Sequence, residues 1–128
     1  MMGYWEQRCD FSELVGKTLQ SVTHDKGAEE VRFSAADGET FVLWHDQDCC
    51  ESVRVEDIVG DLSDLVGSPI LQAEEVSNPS GDPAPEYPDS WTWTFYKLAT
   101  IKGSVTIRWL GESNGYYSEG VDFRREPA

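Results

Sequence analysis

The sequence predicts an α+β fold: a mostly antiparallel, twisted sheet of six to eight strands with two or three short helices. Three observations predict it. Trp91-Thr92-Trp93-Thr94-Phe95 and Ser104-Val105-Thr106-Ile107-Arg108-Trp109 alternate as half-buried strands do. Turn pairs such as Asp37-Gly38 and Asn114-Gly115 separate the short apolar runs. The phrase Ser12-Glu13-Leu14-Val15-Gly16 recurs as Ser63-Asp64-Leu65-Val66-Gly67, each time ahead of a strand. That recurrence raises an internal duplication of a helix-plus-meander unit beside a chance repeat of a common phrase.

The elements follow in order. Residues 10–16 read as a helical turn, with Asp10 as cap, Glu13 in capping-box position and Gly16 as the left-handed stop. Strands are expected over 19–23, 30–34 and 40–45, with turns at Asp25-Lys26-Gly27 and Ala36-Asp37-Gly38. Residues on both faces of 40–45 are apolar, which predicts a central or doubly covered strand. A polar loop spans 46–51, a short strand 52–55, and a helical turn 56–59 ending at Gly60. The second helical phrase leads into a strand over 71–76. The Pro-rich segment 78–90 is expected to be a mobile loop, because its prolines remove ladder donors. The last third, 91–123, is expected to be a three-stranded meander turning at 100–103 and at Asn114-Gly115. Trp91, Trp93, Phe95 and Trp109 are expected in the core. The whole, 1–128, reads as one domain.

Charge narrows the partner classes. Asp plus Glu number 24 against 10 Lys plus Arg, for a net charge of -14. A surface of that sign repels nucleic acid and anionic membrane. The imbalance is local. Residues 37–89 hold fourteen acids and one base, Arg54, while the remainder is nearly neutral. Packed acids repel one another, so the segregation points to a face that meets a basic protein surface. A solvated face that aids solubility is the plainer alternative.

The chain starts without a secretory signal and has no apolar run of membrane-spanning length, which suggests a cytoplasmic protein. Three cysteines, two of them adjacent, do not suggest a disulfide framework, and reduced thiols are expected. No phosphate loop, nucleophile elbow or zinc helix occurs, so neither an enzyme nor a cofactor is expected.

Three constellations remain. His45-Asp46-Gln47-Asp48-Cys49-Cys50-Glu51 carries metal-ligand types, with His45, Cys49 and Cys50 as the alternative metal set and Cys9 and His24 as conceivable completers. The aromatic strands with Lys97, Lys102 and Arg108 offer a second alternative, a small-molecule or signalling-nucleotide site. The tip Gly111–Glu119 offers Asn114, Tyr116 and Tyr117 as recognition residues.

Residues 45–51, 60–70, 93–97 and 113–119 together carry a resemblance. The chain resembles, over roughly 12–123, a family of short bacterial and phage proteins known only as a domain of unknown function. The resemblance implies a phage- or prophage-type accessory protein. Such proteins often bind a host factor, and many that block host nucleases are strongly acidic. The leading expectation is therefore a non-enzymatic inhibitor of a host nuclease or anti-phage complex, acting as a DNA mimic. Its contact residues would be Asp46, Asp48, Glu51, Glu56, Asp57, Asp61, Asp64, Asn114, Tyr116 and Tyr117. Self-association as a homodimer is a further option.

Overall fold

The computed structural model describes residues 7–27, 29–47, 50–85 and 89–126. Eight strands run in chain order: β1 (Leu19–Asp25), β2 (Glu30–Ala35), β3 (Thr40–Trp44), β4 (Ser52–Val59), β5 (Gln72–Pro79), β6 (Ser90–Thr100), β7 (Gly103–Ser113) and β8 (Asp122–Glu126). They form two four-stranded sheets, ordered β1-β2-β3-β8 and β4-β7-β6-β5, with every pair antiparallel. Among the described residues the expected helices are single 3-10 turns, Phe11–Leu14 and Leu62–Leu65. The class is thus mostly β rather than α+β. Four-residue phrases closed by Gly16 and Gly67 are too short to nucleate an α-helix.

The sheets enclose one core. Val31, Phe33, Phe41, Leu43 and Phe123 come from the first sheet; Val53, Leu98, Val105, Ile107 and Trp109 come from the second. Phe11 wedges between the layers, 4.7 Å from the Tyr96 ring and 5.1 Å from Phe123. Stacked strands reveal themselves by local contacts. The Glu29 carboxylate, at the turn between β1 and β2, accepts the Val55 amide of β4 at 3.2 Å. On the other flank, burial pushes the Tyr96 phenol well up, and the carboxylates of Glu75 on β5 and Asp122 on β8 add to it. So the turn between β1 and β2 meets β4 across the layers.

The repeated phrase marks a real repetition of topology. Each 3-10 turn leads into a three-stranded meander, β1-β2-β3 and β5-β6-β7. Each meander is followed by a fourth strand that leaves its own sheet: β4 pairs with β7, and β8 pairs with β3. The two halves therefore exchange their last strands. Where they meet, the Gly16 amide bonds to the Ile70 carbonyl at 2.8 Å, and the Gly67 amide to the Leu19 carbonyl at 3.0 Å. Thr18 and Pro69 bridge between them. Gly16 and Gly67 hold φ of 87° and 86°, values that glycine adopts without a Cβ penalty.

Four local expectations are corrected. Residues 56–59 are not a helical turn but the second half of β4, whose register shifts between Val55 and Asp57. The bulge breaks the alternation, so Val55 and Ile58 acquire a helix-like spacing while both pack against the core. Asp10 makes no side-chain cap, whereas Asp61 accepts from the Ser63 amide at 2.9 Å. Asn114-Gly115 does not close a hairpin: β7 ends at Ser113 and the chain crosses to the other sheet as β8. Finally, Trp91, Trp93 and Phe95 lie opposite the inner layer. Thr94 faces Trp109 in the register; Trp109 joins the central cluster, while Trp93 is buried on the outer side of the sheet. The reading of β3 stands: Phe41, Val42 and Leu43 are fully buried between β2 and β8.

The outward indoles have their own cover. Trp91 Nε1–H donates to the Gly81 carbonyl at 2.8 Å and Trp93 Nε1–H to the Pro83 carbonyl at 2.9 Å. These two bonds hold the described part of the Pro-rich segment against the outer face of the second sheet. No helix among the described residues is long and apolar enough to cross a membrane.

Candidate functional site

The end of the sandwich where β3 passes to β4 and β7 to β8 gathers the unusual polar groups. His45 leaves β3 with its ring turned inward. Its Nδ1 lies 2.8 Å from the Gly120 carbonyl, and its Nε2 lies 3.2 Å from Glu51 Oε1. A carbonyl only accepts, so Nδ1 carries the proton. The His45 and Glu51 side chains are 4% and 1% exposed. One imidazole thus ties the loop before β4 to the loop before β8. Gln47 adds a bond from its amide to the Val53 carbonyl at 3.0 Å.

Glu119 organises the second loop. Its carboxylate accepts from Ser113 Oγ at 2.5 Å and from Thr92 Oγ1 at 2.7 Å. Burial pushes the Glu119 carboxyl up, but hydrogen bonds from Ser113, Ser90 and Thr92 outweigh burial and hold it below its ordinary value. Gly111 permits this arrangement: a Cβ there would stand 2.2 Å from the Glu119 carbonyl oxygen. Beyond these anchors the loop reaches solvent. Asn114 Oδ1 accepts the Tyr116 amide at 3.1 Å, and the Tyr116 ring is 89% exposed. Tyr117 is half-buried.

A surface cavity of about 350 Å³ opens at this end, lined by Glu51, Ser52, Asp89, Glu112, Ser113 and Asn114, with Cys50 at its margin. Asp46 is exposed beside it in sequence. Among the described residues, Asp46, Asp82 and Asp89 form no ion pair, whereas Lys17, Arg32, Arg54, Arg108 and Arg125 are each held by carboxylates. These acids are one share of the uncompensated net charge; Asp61, Asp64, Glu74 and Glu75, which also form no ion pair among the described residues, lie elsewhere.

The expected contact residues therefore divide. Glu51, Asn114, Tyr116 and Tyr117 come together at this end with Asp46, but Glu51 is interior and offers no exposed charge. Glu56 and Asp57 lie along β4, bound to Arg54 at 3.1 Å and Arg108 at 3.4 Å. Asp61 caps its own 3-10 turn at the far end, and Asp64 sits there against Gly103. Asp48 and Cys49 lie outside the described residues. The described acids of 37–89 are spread over both ends of the sandwich and along β4 and β5.

The alternative sets fare differently. Both His45 nitrogens are engaged, and Cys50 is disulfide-bonded, which corrects the expectation of reduced thiols at that position. Among the described residues no three potential ligands are close enough to hold a metal ion. Of the bases considered for phosphate, Lys97 and Arg108 share the outer face of the second sheet, where Arg108 lies 4.8 Å from the Trp93 ring centre. Lys102 is elsewhere, donating to the Val66 carbonyl at 2.6 Å. Asp89 and Glu112 fall within the acidic stretch 37–89 and the tip Gly111–Glu119 but are not among the expected contact residues. Their convergence follows from the pairing of Ser90 with Ser113 and of Ser52 with Glu112, a long-range register that no local pattern reveals.

A family model described as Domain of unknown function (DUF7448) matches residues 12–123. The chain belongs to this family. The match begins inside the first 3-10 turn and ends in β8, so the DUF7448 region takes in both halves of the sandwich. Neither a curated protein nor a solved structure matches the DUF7448 chain closely enough to count as a relative.

Proposed function

We propose that this protein is a non-enzymatic binding module that presents an acidic end to a basic protein surface. One observation carries the reading: Asp46, Asp82 and Asp89, three of the described acids that form no ion pair, belong to the loops that join the strands where the exposed Tyr116 also projects. Unpaired carboxylates steer a basic partner, and an exposed tyrosine supplies contact area at low entropy cost. The partner class fitting this surface is a host protein whose basic patch ordinarily meets nucleic acid, such as a nuclease of a defence complex. The protein would then be a phage-type accessory inhibitor acting in the host cytoplasm. Charge mimicry here is confined to the end and does not extend along the whole of 37–89.

The test is capture from host lysate with wild-type protein and with the D46K/D89K variant, at rising salt. Specific capture should be lost in the variant and should weaken steeply with salt, because exposed charges are screened beyond about 10 Å at 0.1 M. Capture that ignores both charge reversal and salt would sink the proposal.

A further inference from the structure

A second cleft adjoins the acidic end, sharing Glu112 with its cavity, and lies between the proline arch and the outer face of the second sheet. It measures about 370 Å³ and is lined by Arg54, Glu56, Pro83, Pro85, Trp93 and Glu112, over a floor completed by Leu110. We propose that this cleft receives one arginine side chain of the basic partner. The inference rests on the acidic-binder reading and gives that partner its anchor.

The apolar wall is built before any ligand arrives. Trp93 is 4% exposed, its Nε1–H is committed to the Pro83 carbonyl at 2.9 Å, and the Arg108 guanidinium covers its ring at 4.8 Å. The Trp93–Pro83 bond also fixes the arch at the distance that leaves the cleft open. A wall already ordered loses little entropy on binding.

The charged wall selects the ligand. Arg54 Nη2 contacts Glu112 Oε1 at 2.6 Å, and Arg54 Nε contacts Glu56 Oε2 at 3.1 Å. Two carboxylates against one guanidinium leave this wall net negative. Each spends one oxygen on Arg54, and the other remains for an incoming donor. An anion is repelled here. A neutral apolar group would desolvate both carboxylates without replacing their water. An arginine satisfies both walls: its methylene stem lies on Pro83 and Pro85, and its planar fork matches a carboxylate bidentately. A lysine ammonium has the charge but not the fork.

The experiment titrates the full ¹⁵N-labelled chain with N-acetyl-arginine amide. The Trp93 indole N–H resonance, assigned by its loss in W93F, is the reporter. N-acetyl-lysine amide and N-acetyl-leucine amide are the comparisons. The arginine probe should give a saturable shift, the lysine probe should bind about fivefold more weakly, and the leucine probe should not saturate. E56Q/E112Q, with unchanged Tm, should weaken the arginine probe by about tenfold; E112Q alone serves if the double variant folds poorly. Equal response to leucine or lysine, no saturation with arginine, or full affinity in the Gln variants would overturn the proposal. D46K/D89K lies outside the cleft and should leave the probe's affinity unchanged. Probe binding that survives while D46K/D89K fails to affect capture overturns the acidic-end reading alone. Loss of capture in D46K/D89K without probe binding overturns the cleft alone.

Discussion

Gly16 and Gly67 occupy equivalent places in the two halves of the sandwich. Each follows a 3-10 turn, each holds a φ near +87°, and each donates its amide to a carbonyl at or just before the start of the other half's meander. An L-residue in a left-handed conformation costs about 1–2 kcal/mol. A Cβ on Gly16 meets nothing within 4 Å, and one on Gly67 meets only the flexible end of Lys102 at 3.3 Å. G16A and G67A should therefore each lower stability by about 1–2 kcal/mol in urea unfolding, almost entirely through backbone strain. A neutral G16A would show that φ does not constrain this position.

Glu119 predicts a pH dependence. Its folded carboxyl is held below the ordinary value by the hydroxyls of Ser113, Ser90 and Thr92, which outweigh its burial. Its contribution is full above the unfolded carboxylate range and fades as pH falls through the lowered folded value. S113A and T92A each remove one donor, so burial should then carry the carboxyl upward. An NMR titration of the Glu119 side chain should register that rise, and acid unfolding should begin at a higher pH. A titration midpoint unmoved by both substitutions would remove the hydroxyls as its cause.

Much of the sheet was legible because its cues are local. β3 declared itself by apolar residues on both faces, and the turns at Asp37-Gly38 and 101–102 by their residue types. The repeated topology had a local sign in the repeated phrase, while the exchange of β4 and β8 had none. Asn114-Gly115 reads locally as a hairpin; only the pairing of β8 with β3 decides otherwise. The orientation of β6 failed for a related reason. Alternation gives two faces but not which is inner, and here threonines face the core side while indoles hold the proline arch. The site followed the same rule: His45 and Glu51 stood out in one short segment, but Gly120, Asp89 and Glu112 arrive through long-range register.

The two indole bonds of the arch are separable. W91F keeps an aromatic side chain but deletes the donor to Gly81 together with the pyrrole part of the indole. The loss of one such bond costs about 0.5–1.5 kcal/mol, here concentrated in the arch rather than the core. Limited proteolysis of W91F should cut within 80–89 faster than in wild type, with global unfolding little changed. Identical cleavage rates would mean that Trp93 alone holds the segment.

Cys9 offers a chemical readout of the β8 flank. Burial pushes its thiol up to about 11, with the Glu13 carboxylate adding to the rise. Against an ordinary value of 9.0, the thiolate population at neutral to mildly alkaline pH is about a hundredfold smaller. Iodoacetamide labelling of Cys9, followed by peptide mapping, should be slower by about that factor than for an exposed cysteine in a short peptide. E13Q should speed it modestly. Rapid labelling of Cys9 in the folded protein would refute the raised thiol.

His45 and Glu51 join the loop before β4 to the loop before β8. Deleting one partner of a buried pair leaves the other charge or dipole without its match, typically a loss of about 3–5 kcal/mol. H45A should therefore destabilise strongly, because Glu51 stays almost wholly buried and the Gly120 carbonyl loses its donor. H45F/E51L removes both polar ends and should recover part of that loss, since the remaining side chains match the apolar surroundings better. A double-mutant cycle of H45F, E51L and H45F/E51L in urea unfolding gives the coupling directly. Amide exchange at 118–121 should rise in H45A before exchange in β2 or β7 does, because the bond to Gly120 is the loop's tie to β3. Additive effects of the two single substitutions would show that the contact contributes nothing as a pair.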